Sequence, residues 1–331
     1  MNALRKLTER ESVTADFIKA LAIFSVITAH TMTLYDFGVY AKLVSSLWSA
    51  FARVGVVFFF VIGGYFYNRR ENDTKTFWKK KLFRIILPWL ICATLTYGVG
   101  VATGTALSIF AYLKWIFGSG TWYYYIVVYL FFMLVFGWVY KYNWVLYLLV
   151  MANIVILCLK TCGLSFTPSV DWATDYLNPL YWMGYFSLGI LIRRKNWDLK
   201  LQTSIWIPIV SGVIMIAALV GIMYFEIYTY FHIVSYVFAL SLMVCVAKLF
   251  YGLAQFKVLS QLRNIGTSSY CIYLLHMQIV QKAVSLIPEG NLKVTVAPVA
   301  GLVIMVVFVF VCSFVLNKLP FGKKLKMVIG L

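Results

Sequence analysis

The chain has 331 residues, of which 63% are hydrophobic and 12% charged, with 29 Lys+Arg against 11 Asp+Glu and a formal net charge of +18 at pH 7. No soluble domain of this size has so little polar surface, so the composition indicates an all-α, polytopic membrane protein surrounded by lipid. The basic excess lacks the interleaved aromatics of a single-stranded nucleic-acid groove, which argues against nucleic acid as a partner and for loop charge that orients the chain in a bilayer.

Residues 1–15 read as a cytoplasmic N-terminal segment. Arg5, Lys6 and Arg10 precede an apolar stretch of spanning length that itself contains Lys19 and His30. A signal-peptide core is shorter and uncharged, so a retained helix is expected. Spans then recur at 16–37, 43–67, 82–101, 121–139, 144–159, 178–192, 204–225, 230–250, 268–287 and 294–316, which makes ten. Residues 16–316 form the membrane domain and 317–331 a basic cytoplasmic tail. With the N-terminus in the cytoplasm, the inner loops carry 22 of the 29 cations, while the outer loops carry Lys42, Lys114, Lys160 and Lys293. This alternation supports ten spans with both termini inside.

Two outer connections are longer than turns. Residues 103–120 contain a short interfacial helix around 107–117. Residues 160–178 carry Asp171, Trp172, Asp175 and Tyr176. With Glu226, the first three are weak candidates for sugar contact, and solvated loop positions are the commoner reading. The six cysteines fall in apolar segments without zinc-finger spacing, so they read as packing residues and no metal is expected.

Ionisable side chains inside a bilayer are costly and usually functional. Lys19 and His30 are eleven residues apart, about three helical turns, so they share a face and are separated by about 16 Å along the axis. Lys19 lies near the inner end of the first span and His30 nearer the outer end. Arg53 is expected at a similar depth on the second span, and His276 midway along the ninth. No carboxylate is expected in mid-membrane, which argues against a proton-coupled pump. A histidine beside a guanidinium suits general-base work on a hydroxyl. The competing reading for either histidine is an interhelical hydrogen bond, and for His276 that reading prevails.

The run Lys79-Lys80-Lys81-Leu82-Phe83-Arg84 opens the third span. Lys79 and Lys80 read as anchors on anionic lipid. Lys81 and Arg84 share a helix face and, with Lys19, form either a further anchor or a phosphate clamp. Gly63 and Gly64 permit close helix packing or a backbone approach to a ligand. The cluster Trp122-Tyr123-Tyr124-Tyr125 reads as an aromatic belt before a sugar platform.

Together these pieces resemble the membrane acyltransferase-3 family, bacterial O-acyltransferases that modify cell-surface glycans. The resemblance rests on Asp16-Phe-Ile-Lys19 through His30, on Arg53 through Gly63-Gly64-Tyr65, and on Lys81-Leu-Phe-Arg84-Ile-Ile-Leu-Pro88. It continues with Trp122-Tyr123, Tyr185-Phe-Ser-Leu-Gly189, Ser269-Tyr270-Cys-Ile-Tyr273-Leu-Leu-His276, and a tail from Leu319-Pro320 to Gly330. It implies an acyl-CoA-dependent enzyme of the bacterial cytoplasmic membrane, with acetyl-CoA as donor and a glycan or lipid-linked saccharide as acceptor. His30 takes the catalytic position, with Arg53 beside it. Lys19, Lys81 and Arg84 take the donor positions. Asp16, Tyr65, Trp122, Tyr123, Ser269, Tyr270, Tyr273 and His276 are further candidates. The extended arm of CoA, on the order of 15–20 Å, matches the Lys19–His30 rise.

The chain departs from the family pattern at Lys81 and Gly63, where arginine and serine are usual, and at Thr121, near which relatives carry a histidine. The alternatives are a transporter or flippase for a glycan or small solute, and a purely structural membrane partner. Neither needs the basic inner cluster.

Overall fold

The computed structural model describes residues 5–32, 38–67, 74–256, 260–322, 326 and 329–331. Arg69, Arg70, Lys257, Lys323 and Lys324, counted above as inner-loop charges, lie outside them. So does the outer end of the first expected span.

The described residues form helices and turns with no strand: α1 (Glu9–Thr31), α2 (Val39–Ala52), α3 (Gly55–Tyr65), α4 (Thr74–Lys81), α5 (Leu87–Ala102), α6 (Ile109–Ile116), α7 (Tyr124–Val139), α8 (Asn143–Thr161), α9 (Met183–Arg194), α10 (Trp197–Thr203), α11 (Trp206–Tyr224), α12 (Ile233–Leu253), α13 (Ser260–Thr267), α14 (Ser269–Ser285) and α15 (Asn291–Lys318). Seven helical stretches among the described residues are long and apolar enough to cross a membrane: α1, α2 with α3, α4 through α5, α8, α11, α12 and α15. Helices α7, α9 and α14 occupy the other three expected positions but are shorter. The interfacial helix expected around 107–117 is α6.

Helix α1 begins earlier than the hydrophobic pattern implies. Thr8 and Glu11 form a reciprocal capping box, with the Thr8 hydroxyl accepting from the Glu11 amide and the Glu11 carboxylate accepting from the Thr8 amide at 2.8 Å. Glu11 and Asp16 are therefore both inside a spanning helix, and both are buried. Lys19 sits roughly 15 Å past the helix start, farther in than expected.

Helix α1 is the axis of the bundle and packs on α2, α3, α12, α13, α14 and α15. The periphery is apolar and open, with Val213 and Val220 on α11 and Val303, Val307 and Phe314 on α15 all exposed. Bare apolar faces of this extent fit lipid rather than water.

Gly64 and Gly189 set the α3–α9 contact. A Cβ on Gly64 would lie 2.0 Å from the Phe186 carbonyl, and one on Gly189 would lie 2.0 Å from that of Val61. The two backbones touch at a small-residue pair, so Gly64 serves close packing.

The expected second span is broken. Its helix stops at Ala52 and restarts at Gly55. Ser25 of α1 enters the gap, donating to the Phe51 carbonyl and accepting from the Gly55 amide, each at 2.7 Å. Tyr230 donates to the Ala52 carbonyl at 2.8 Å. Side chains thus replace the lost helical bonds, the condition for irregular backbone at membrane depth.

Loop contacts fall into two groups at opposite ends of α1. At the end where α1 starts, Arg5 pairs with Glu11 at 2.7 Å and with Asp198, and Arg193 donates to the Arg5 carbonyl at 2.7 Å. There too, Arg194 donates to Asn143 at 2.8 Å and Lys248 donates to the Leu201 and Ser204 carbonyls. At the other end Lys42 pairs with Glu226 at 2.7 Å and Tyr40 bonds Thr295 at 2.9 Å.

Candidate active site

A cavity of about 740 Å³ opens among α1, α3, α4–α5, α7, α13 and α14. Lys19, Lys80, Lys81 and Arg84 line it, and among the described residues no acidic side chain does. The sequence-predicted donor residues Lys19, Lys81 and Arg84 therefore share one chamber, joined by Lys80, which the sequence reading assigned to an anchor.

Lys19, Lys81 and Arg84 are positioned by their local structure. Asp16, one turn before Lys19, accepts from its ammonium at 3.0 Å and also faces the Arg263 guanidinium at 3.6 Å. Helix α13 can come that close because Gly266 has no side chain: a Cβ there would lie 1.8 Å from the Asp16 carbonyl oxygen. Asp16 thus holds Lys19 in place from behind. Between Lys81 and Leu87 the helix makes a π-turn over Leu82–Ile86, a distortion frequent at functional sites. It carries Arg84, and the Ile85 carbonyl accepts from Tyr270 at 2.7 Å. The Lys81 ammonium reaches the Tyr129 hydroxyl at 3.4 Å.

Beyond the cations the lining turns aromatic, with Tyr125, Tyr129, Tyr270 and Tyr273. Ser269, Gly63, Gly330 and Leu331 also line the cavity. Four lining cations, of which Lys19 is paired with Asp16 behind it, together with an aromatic lining suit a ligand with several phosphates and an uncharged arm.

His30, His276 and Arg53 do not line this cavity. They form a neighbouring cluster. The His30 and His276 rings lie 5.0 Å apart, and Trp122 and Tyr273 flank His276 at 6.1 and 5.8 Å. His276 is fully buried and His30 half-buried. His276 Nδ1 lies 2.8 Å from the Tyr273 carbonyl. A carbonyl only accepts, so Nδ1 carries the proton and Nε2 presents a lone pair. That Nε2 is buried and makes no hydrogen bond among the described residues. His276 is therefore not the interhelical hydrogen-bonding residue expected from the sequence, because its one bond is to its own helix and its other nitrogen is a free base.

Arg53 is held at the α2–α3 break, with its guanidinium 5.6 Å over the Tyr230 ring, and it is near enough to His30 for their charges to interact. The same Tyr230 also seals the break, so the distortion in the second span is what sets the position of Arg53. No signal in the residue pattern announced it.

Trp122 and Tyr123 are buried, not arranged as a belt facing lipid. Tyr123 donates to the Leu274 carbonyl at 3.2 Å, and the Trp122 carbonyl accepts from Tyr273. These bonds tie the start of α7 to α14 beside His276. Tyr65 lies elsewhere. Its hydroxyl donates to Asp198 at 2.7 Å, and its ring sits under Arg193 at 5.2 Å, in the loop network where α1 starts. Of the weak outer-loop candidates, Asp175 is engaged by Lys160 at 2.8 Å and Glu226 by Lys42 at 2.7 Å, while Trp172 is exposed.

Comparison with known proteins gives one family. The model described as "Acyltransferase domain", the acyltransferase-3 family, matches residues 13–318. No curated protein and no solved structure matches the chain. The match covers every helix from the second turn of α1 to the end of α15, and with it the four cavity cations and the paired histidines: the chain belongs to the acyltransferase-3 family of acyltransferases.

Proposed function

We propose that this membrane acyltransferase takes an acetyl group from acetyl-CoA at the basic end of the bundle and delivers it to a hydroxyl of a cell-surface or lipid-linked glycan. One observation carries the reading: a chamber lined by four cations and no acidic side chain among the described residues shares Tyr273 with the pocket of His276, whose ring lies 5.0 Å from that of His30. In this reading the chain crosses a bacterial cytoplasmic membrane ten times. Helices α7, α9 and α14 supply the three crossings beyond the seven long ones, and both termini lie in the cytoplasm. The excess of cations at the end where α1 starts supports that orientation.

Lys19, Lys80, Lys81 and Arg84 hold the donor's phosphates, and the uncharged arm runs along the tyrosines toward α14. His30 removes the proton from the acceptor hydroxyl. The oxygen attacks the thioester carbonyl, the C–S bond breaks as the C–O bond forms, and the proton passes to the departing CoA thiolate. Arg53 stabilises negative charge on the carbonyl oxygen. His276, with its free Nε2, accepts a hydrogen bond from the His30 N–H or from the acceptor O–H and orients it.

Membranes with and without the protein, incubated with labelled acetyl-CoA, test this reading. Label is expected in surface polysaccharide as an alkali-labile ester only when the protein is present. If no label leaves CoA, the acyltransferase reading of the cavity fails and a carrier is left in its place.

A further inference from the structure

The histidines do not line the cavity, but Tyr273, which does, packs on His276, and Tyr125 packs on Tyr273. Tyr125 and Tyr273 both line the cavity, 5.5 Å apart between centroids. Tyr273 cannot swing freely, because its hydroxyl is bonded to the Trp122 carbonyl and its ring packs on His276. Tyr125 is held from the other side by Phe60 at 4.8 Å, Phe59 at 5.8 Å and Tyr129 at 5.9 Å.

We propose that Tyr125 and Tyr273 are specificity-determining residues that restrict the transferred acyl group to two or three carbons. The inference rests on the donor reading above. For transfer, the thioester carbonyl must reach the seam between these rings, where the hydroxyl oxygen replaces the CoA sulfur on the acyl carbon and the hydroxyl proton goes to the thiolate. Whatever extends beyond that carbonyl lies against rings that are already packed. Each added methylene forces a ring off its rotamer or leaves the carbonyl short of the histidines. A pocket of this kind discriminates by about tenfold per methylene.

The test uses the full-length protein in lipid nanodiscs with acetyl-, propionyl-, butyryl- and hexanoyl-CoA. Both displacement of labelled CoA and acyl transfer are followed. For the wild type, kcat/KM is expected to fall by about a hundredfold from acetyl to butyryl. In Tyr125→Val, and separately in Tyr273→Leu, that ratio is expected to come within about tenfold of unity. A wild type that transfers butyryl as readily as acetyl overturns the proposal, even if neither variant folds. So do folded variants that keep the wild-type preference. Failure of the donor reading has a different signature, since bare CoA would then not bind to the wild type at all.

Discussion

Ser25 Oγ stands 2.7 Å from both the Phe51 carbonyl and the Gly55 amide, and so serves as the missing turn between α2 and α3. Arg53 sits in that turn. Ser25→Ala leaves the buried Gly55 amide unpaired at a cost of about 1–3 kcal/mol, while the Phe51 carbonyl still accepts from the Val54 amide at 3.2 Å. A lower unfolding temperature in detergent is expected, with a fall in kcat larger than any rise in donor KM, because the break aims Arg53 and not the cavity cations. Unchanged melting and unchanged turnover would show that the break does not depend on this hydroxyl.

The basic chamber makes a separate prediction. Lys81→Ala or Arg84→Ala should raise donor KM by about tenfold, the loss of one charge-assisted hydrogen bond to phosphate. Lys81→Arg should lower it, because guanidinium grips phosphate in two-pronged fashion. Initial rates against acetyl-CoA concentration decide the matter, and a KM that ignores all three changes would remove these residues from the donor site.

Tyr65 should behave otherwise, although it lies in one of the stretches that carry the family resemblance. Its bond is to Asp198, on the far side of α3 from the basic chamber. Tyr65→Phe is expected to cost about 0.5–1.5 kcal/mol of stability, read as a lower melting temperature, and to leave donor KM within twofold. A tenfold rise in KM would place Tyr65 in the donor site after all.

At the α3–α9 crossing, Gly189→Val puts a branched side chain where the Val61 carbonyl already stands. Separating the two helices should abolish accumulation of folded protein, seen as loss of the monodisperse peak in fluorescence-detected size exclusion. Gly252→Val on α12 has open space around it and is the control, with a normal peak expected. Equal profiles for the two variants would contradict the close contact.

Much of this was legible in the residues. Hydrophobic length located the seven long spans and the positions of α7, α9 and α14, but not the short helices α4, α10 and α13, and the eleven-residue spacing set Lys19 and His30 about three turns apart on one helix, α1. Lys81 and Arg84 followed from their three-residue spacing. What was hidden depends on contacts between distant segments. A serine that patches another helix's backbone, as Ser25 does, looks in sequence like any small residue in a span. Trp122 and Tyr123 read as a belt because position along the chain gives depth but not rotation, and it is rotation that turns them toward His276. The early start of α1 lay in the Thr8–Glu11 cap, which hydrophobicity does not report. The wall of Tyr125 and Tyr273 joins α7 to α14, and no pattern within either helix shows it.

The most direct measurement compares wild-type and His30→Gln protein in membranes that contain the native acceptor, following both binding of CoA and transfer of label from acetyl-CoA. His30 lies outside the donor cavity, so CoA affinity should hold while transfer falls by at least about 10²-fold, the usual loss of a general base. Transfer by His30→Gln at the wild-type rate would contradict the assignment of His30 as the base that activates the acceptor.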